Sequence, residues 1–462
     1  MRRPGWKSGT LIFFIVFFAG ALLRFSLASA RYSRPLEDGD AQEYFAMGQS
    51  LKNESSLSLY GFAHSAFRGM LYPLWISRVP GRAPGAIRLA AALLGTTCLL
   101  LVFSLGRRVH SDLCGLVAMA IYALDYNQIN AAASARIECF YGFLVLVVAI
   151  SLVEWARSPD ARGTIRLGLA LGVSLLCRST LFALPPLLAI WSYARAEKRL
   201  RSVKTSLLIV VMSYIVLIPW TIRNARYFGE FVPFERHVAT YNIYMASLGY
   251  VNAVGRDETL AAARRSNAGF SEGLSETTEK RLWAAAIQNI KDHPVRYLVS
   301  TIGRFFRFSL ALVVMIYGAG AYFLIGAMRK SWKEPGASAL GIMLIYFLLI
   351  HSPMAVTNRY LLPIMSVAFT LVAAGLAAEA GGGAGRELCF APASIVLTEK
   401  AWLCAQVVGV GLFALSLSVI ARELRSFPAQ PEPAVGLTSR PGSTDPLSES
   451  GRTVILLTSG VN

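Results

Sequence analysis

Residues 10–51 read "TLIFFIVFFAGALLRFSLASARYSRPLEDGDAQEYFAMGQSL", an apolar run followed by four acidic side chains, Glu37, Asp38, Asp40 and Glu43. The run from Leu11 to Ala30 has about the 20 residues a helix needs to cross a bilayer. Carboxylates placed directly behind such a run arrive at a membrane surface. Apolar blocks of similar length recur near 86–106, 113–129, 138–154, 164–178, 180–194, 206–222, 302–328, 337–352, 360–378 and 401–420. Composition agrees: 55% of the 462 residues are hydrophobic and 16% are charged, against about 25% charged in soluble domains. The sequence predicts an all-α polytopic membrane protein with eleven spans.

The net charge of +18 follows the membrane pattern and does not mark a polyanion site. Arg2, Arg3 and Lys7, then Arg107 and Arg108, then Arg157, Arg162 and Arg166 fall in alternate short connections. Arg195, Lys198, Arg199, Arg201 and Lys204, then Arg329, Lys330 and Lys333 continue the series. Basic loops gather on the cytoplasmic side, so the N-terminus is expected there, and nucleic acid is excluded as a partner. Two long loops, 31–85 and 223–301, then face outward together with 125–137 and 353–359. The start "MRRPGWK" and the "ASA" at 28–30 resemble a cleaved secretory signal. Arg24 interrupts the apolar run, however, and the first helix is expected to remain as an anchor.

The six cysteines lie within or beside apolar blocks and suggest no disulfide framework. The five histidines show no metal-ligand spacing, so no cofactor is marked, and a divalent metal site would have to be assembled from carboxylates that the sequence does not advertise. In the second long loop Leu282, Ala286 and Ile290 recur at helical spacing ahead of Pro294, which predicts an amphipathic helix at the membrane surface. From residue 421 the chain turns rich in Pro, Ser and Gly and is expected to be a disordered tail.

The acidic stretch has a structural reading and a chemical one. Asp40 can cap a helix, with Glu43 three residues on completing an acidic capping box. Tyr44, Met47 and Leu51 then form an apolar stripe. Capping leaves Glu37 and Asp38 unexplained. The chemical reading makes a carboxylate here a general base for an acceptor hydroxyl. Basic and aromatic residues on the same side strengthen it: Arg68 and Tyr72, then Arg223 and Arg226 after the seventh span, and His351, Arg359 and Tyr360 between the ninth and tenth. Arginines at span ends often snorkel, but a lipid phosphate would also need them at that depth. Glu138 opens the fourth span and either pairs with Arg136 or lines the same cavity.

The ordered stretches "GDAQEY", "FRGMLYPLW", "RIECFYG", "CRSTLFALPP", "IPWTIRNARYFGEFVPF", "IKDHPVRYL" and "NRYLLPIMSVAF" resemble bacterial membrane glycosyltransferases of the protein mannosyltransferase and aminoarabinose transferase superfamily. The resemblance runs from about residue 10 to 378. It implies a GT-C fold with interfacial helices on the outer face. It also implies a hexosyl- or pentosyltransferase that takes a sugar from a polyprenyl-phosphate carrier and passes it, with inversion, to a lipid, glycan or protein acceptor. Asp40 matches the proposed base, with Glu37, Asp38 and Glu43 as acidic helpers, and Arg68 matches the contact to the carrier phosphate. Tyr72, Glu138, Arg223, His351 and Arg359 complete the expected substrate site, in the bacterial inner membrane.

The chain departs from the resemblance in one motif. Related sequences carry two prolines after the basic residue, where this one reads "RGMLYP", and Gly69 with Met70 is expected to loosen the segment. The membrane domain is expected at 1–378, followed by a linker with the last span at 379–420 and the tail at 421–462. A transporter or flippase is the alternative class, yet no inverted repeat is visible. A membrane glycan polymerase or ligase would share the donor, and an inactive relative would not need Asp40 together with Arg68.

Overall fold

The computed structural model describes residues 8–36, 39–59, 65–81, 83–195, 199–235, 238–254, 256–266, 276–331, 333–380 and 392–425. Glu37, Asp38 and the expected tail beyond residue 425 lie outside the described residues. The chain divides into Met1–Glu423 and Leu424–Asn462. Of the second unit only Leu424 and Arg425 are described, and they close a helix.

Nineteen α-helices are described. The first nine are α1 (Ser8–Ala30), α2 (Gly39–Asn53), α3 (Leu71–Arg78), α4 (Pro84–Val109), α5 (Asp112–Leu124), α6 (Tyr126–Ala132), α7 (Ile137–Arg157), α8 (Ala161–Cys177) and α9 (Leu184–Arg195). Then come α10 (Arg199–Ile215), α11 (Ile218–Phe228), α12 (Val238–Ser247), α13 (Arg256–Ser266) and α14 (Glu276–Asp292). The last five are α15 (Pro294–Met315), α16 (Gly320–Ser331), α17 (Pro335–His351), α18 (Met365–Ala380) and α19 (Pro392–Arg425). Short 3-10 segments at Ser179–Leu181 and Asn358–Ile364 precede α9 and α18. The described residues include no strand, only a bridge between Asn252 and Val356.

Among the described residues six helices are long and apolar enough to cross a membrane, or seven if the bent pair α10–α11 is one span. Two of the eleven expected blocks are divided for visible reasons. The block at 113–129 stops at Leu124, where the Asp125 side chain accepts from Gln128 N at 2.9 Å and starts α6. The block at 302–328 breaks after α15 at Tyr317 and Gly318, both at positive φ. The Tyr317 hydroxyl donates to Asp125 Oδ2 at 2.6 Å, so the two breaks hold each other.

α4, α7 and α18 form the buried centre, whereas α1, α15 and α19 leave most of their apolar surface open. A helix apolar on all sides needs protein or lipid around it, and a bilayer supplies the second. Buried arginines bind loose carbonyls at helix ends, the groups a helix cannot satisfy internally. Arg24 of α1 donates to Tyr122 O at 2.9 Å and Ala123 O at 3.1 Å at the end of α5. Arg88 of α4 holds the carbonyls of Arg31, Arg34 and Pro35 at 2.6–2.8 Å, anchoring the entry to α2.

The predicted amphipathic helix is α14, ending before Pro294. Its Leu282 and Ala286 pack against Tyr241, Tyr244 and Met245 of α12 and Leu260 and Ala263 of α13. The stripe therefore faces a small core of the second loop and not lipid. α19 runs past the expected boundary at residue 421 as far as Arg425. Near its end Glu423 accepts from Arg223 Nε at 2.6 Å and from Leu57 N at 2.9 Å.

Candidate active site

α2 begins at Gly39, so Asp40 lies in the first helical turn and not at the cap. Asp40 and Glu43 leave the helix three residues apart, on one face. Both turn to Arg68, which corrects the capping-box reading. Arg68 Nε donates to Glu43 Oε2 at 2.8 Å and Nη2 to the same oxygen at 2.5 Å, while Nη2 also pairs with Asp40 Oδ1. Tyr44, Met47 and Leu51 form the buried stripe that seats α2, with Tyr44 edge-on to Tyr72 of α3, ring centroids 5.1 Å apart.

Arg68 is held by a close approach of backbones. A Cβ on Gly69 would stand 2.2 Å from Cys177 O, so only glycine lets this segment lie against the end of α8. Met70, Leu71 and Tyr72 are fully buried. The segment is thus tightly seated, and the loosening expected from "RGM" does not occur.

The second side of the site comes from the stretch before α18. Arg359 pairs with Asp40 through Nη2 and Oδ2, and its Nε forms an ion pair with Glu138 Oε1 at 3.0 Å. Ala355 N donates to Asn242 O at 3.1 Å and Ala253 N to Val356 O at 3.0 Å, tying this stretch to the second long loop. Glu138 sits in the first turn of α7 and is 3% exposed. Its ion-pair partner is Arg359, where the sequence left Arg136 and a cavity open. Its Oε2 has no hydrogen-bond partner among the described residues. Tyr72 fixes the start of α7 by donating to Ala135 O at 2.9 Å and Arg136 O at 3.1 Å. Its hydroxyl therefore serves the scaffold.

Two expected substrate contacts have other partners. Arg223 is fully buried and paired with Glu423, its guanidinium 4.8 Å from the Trp220 ring centroid. In the same motif Asn224 donates to Val232 O at 2.9 Å and Gly229 ends α11 at φ +65°, so this stretch builds a turn. His351 is 5% exposed, its Nδ1 2.8 Å from Phe347 O, between the rings of Phe308, Phe347 and Tyr360.

One residue absent from the expected set belongs to the site. Arg178, at the end of α8, lies over the Tyr360 ring with Cζ 5.2 Å from the centroid. It is the last residue of the block 164–178, one residue before the block 180–194, where a charge between apolar runs is expensive. That position was the available signal.

Three carboxylates, Asp40, Glu43 and Glu138, thus meet three guanidiniums, Arg68, Arg178 and Arg359. Burial raises the pKa of Asp40, but the charges of Arg68 and Arg359, a hydrogen bond from Arg359 and the charge of Arg178 outweigh it. The carboxyl is held at about 2, below its ordinary 3.8. Its side chain remains 34% exposed, open to a ligand. Among the described residues no three His, Cys, Asp or Glu side chains group as metal ligands.

The first long loop of this helical membrane bundle thus carries a carboxylate to arginines from two other segments, on a fold of the GT-C class. A family model described as dolichyl-phosphate-mannose-protein mannosyltransferase matches residues 75–222. ArnT from Cupriavidus metallidurans bound to undecaprenyl phosphate is similar with a TM-score of 0.52 at 14% identity, over 89% of this chain and 77% of that one. Its apo state gives 0.50 at 14% identity, over 88% and 76%. The Archaeoglobus fulgidus oligosaccharyltransferase tethered to an acceptor peptide gives 0.50 at 12% identity, over 88% of this chain and 55% of that one. This chain spans about half the length of that protein. No curated protein matches by sequence. At these identities the likeness is one of fold.

Proposed function

We propose that the chain is a membrane glycosyltransferase that moves a sugar from a polyprenyl-phosphate carrier to a lipid, glycan or protein acceptor. The observation that carries this reading is the clamping of Asp40 between Arg68 and Arg359, a base beside phosphate-binding cations. That ArnT has been captured with undecaprenyl phosphate on the same fold supports the carrier. The alternation of basic loops supports a reaction on the extracytoplasmic face of the inner membrane.

The chemistry is a single displacement. The acceptor oxygen gives its proton to the Asp40 carboxylate and attacks the anomeric carbon opposite the phosphate. A new carbon–oxygen bond forms as the bond to the carrier phosphate breaks, which inverts the anomeric centre. The leaving phosphate keeps the electron pair, and guanidiniums stabilise that charge. With both arginines on it, Asp40 is a weak base, since efficient general bases titrate nearer the working pH. Phosphate oxygens competing for the same N–H groups loosen that hold, so donor arrival raises the basicity of Asp40.

The test is mass spectrometry of lipids that co-purify with Asp40→Asn protein. A retained polyprenyl-phosphate sugar, together with transfer reduced by at least about a hundredfold, supports the reading. Ordinary phospholipids alone, or transfer near the wild-type rate, overturns it.

A further inference from the structure

The three guanidiniums of the site are not equivalent. Arg68 is engaged with Asp40 and Glu43, and Arg359 with Asp40 and Glu138. Arg178 forms no ion pair and donates no side-chain hydrogen bond among the described residues; its guanidinium lies over the face of Tyr360, within electrostatic reach of Tyr44, Glu138 and Tyr141. Glu235 accepts from the residue that follows Arg178, Ser179 N, at 3.0 and 3.1 Å. The residue is half-buried, so its guanidinium is reachable.

Its platform is built. The Tyr360 hydroxyl accepts from Asn242 Nδ2 at 3.2 Å, and the ring stacks on His351 with centroids 5.6 Å apart. His351 is in turn fixed at Phe347 O. A guanidinium laid on an aromatic face keeps its N–H groups, which lie in its own plane, free for an anion. The close approach of Gly69 to Cys177 O puts this cation beside the Arg68 loop. The charges of Asp40 and Glu138 reach it without an ion pair, so its half-buried N–H groups gain a charge-assisted contact when a ligand pairs with them directly.

We infer that Arg178, and not the already paired Arg68, is the primary receiver of the carrier phosphate. This rests on the proposed function and deepens it. The carrier docks on Arg178 first, and Arg68 and Arg359 reach it only by releasing Asp40. Donor binding and base activation are then one event.

The test titrates undecaprenyl phosphate into the full chain in nanodiscs, read by native mass spectrometry and tryptophan fluorescence. Undecaprenol serves as the phosphate-free control and inorganic phosphate as competitor. Arg178→Gln should raise Kd about ten- to a hundredfold, the loss of one charge-assisted contact. Arg178→Lys should recover part of that, and exposed Arg162→Gln should bind as wild type. Competition by inorganic phosphate in the wild type, with undecaprenol binding weakly, identifies the phosphate as the recognised group. If Arg178→Gln does not fold, Arg178→Lys carries the comparison, with an expected three- to tenfold loss, about one bidentate contact reduced to a point charge. Binding by the Arg178 variant within twofold of wild type, with Arg68→Gln losing it, overturns the inference and leaves the proposed function standing. A wild-type protein that does not bind undecaprenyl phosphate, or binds undecaprenol equally well, overturns both.

Discussion

Replacing Gly69 with alanine adds one methyl group at the seam on which the site is assembled. The new Cβ would lie 2.2 Å from Cys177 O, 2.7 Å from Cys177 C and 2.9 Å from Leu176 O. All three are backbone atoms, so no side chain can swing aside. Restoring ordinary contact requires the Arg68 segment and the end of α8 to part by roughly 1 Å. Forced overpacking costs about 1–3 kcal/mol, and a displacement of this size between groups that share a substrate costs about a hundredfold in rate. The expected variant is folded but lowered in melting midpoint by a few degrees, about what that energy gives in a large domain. It also transfers sugar at least about tenfold more slowly, the smaller part of that range. Melting followed in detergent and transfer measured in proteoliposomes give the two readings. A Gly69→Ala protein with wild-type melting, donor affinity and rate refutes the argument that this glycine sets the distance between Arg68 and Arg178.

Other outcomes follow from the ion pairs. Glu423→Ala strands Arg223 in the core and should cost about 3–5 kcal/mol, whereas Arg223→Met with Glu423→Leu should recover most of it; thermal melting of the single and double variants decides. The pH profile of kcat/KM should show no acid limb from Asp40 above about pH 4, since its pKa is lowered from 3.8 to about 2. The stability this carboxylate contributes is complete above its unfolded value of 3.8 and is lost as pH falls through about 2. Arg359→Gln removes one of the cations holding it down, so the acid limb should move to higher pH; an unmoved limb would show that Arg359 does not govern Asp40.

Much of this site is legible in the sequence because it obeys local rules. Asp40 and Glu43 share a helix face by spacing, Arg68 lies in a motif of the first long loop, and Glu138 and Arg359 stand at ends of apolar blocks where a charge needs a reason. What escapes is set by distant partners. Nothing near Arg223 says that Glu423 will occupy it, so a structural arginine reads like a phosphate contact. Nothing in "RGM" says that Gly69 meets the carbonyl of Cys177, so a close approach reads as looseness. Arg178 is inconspicuous because it closes an apolar block, next to Ser179 and Thr180, far in sequence from the carboxylates it meets. The helix breaks at Asp125 and Tyr317 are likewise invisible one at a time, since each is fixed by the other.

α19 carries Glu399, which pairs with Arg107 and Arg108, and 24 residues later Glu423, which pairs with Arg223. At helical rise these two lie about 36 Å apart, a little more than a bilayer core. Glu423 also receives the amide of Leu57, 366 positions earlier in the chain, and Arg422 receives no less a duty by donating to Ser55 Oγ at 2.8 Å. The loop that leads to Arg68 is therefore fastened by the last described helix. A nascent chain stopped between α18 and α19 would contain Asp40, Arg68, Arg178 and Arg359 and still lack the fastening of that loop. The fastening of the first long loop is thus completed only once α19 is in place.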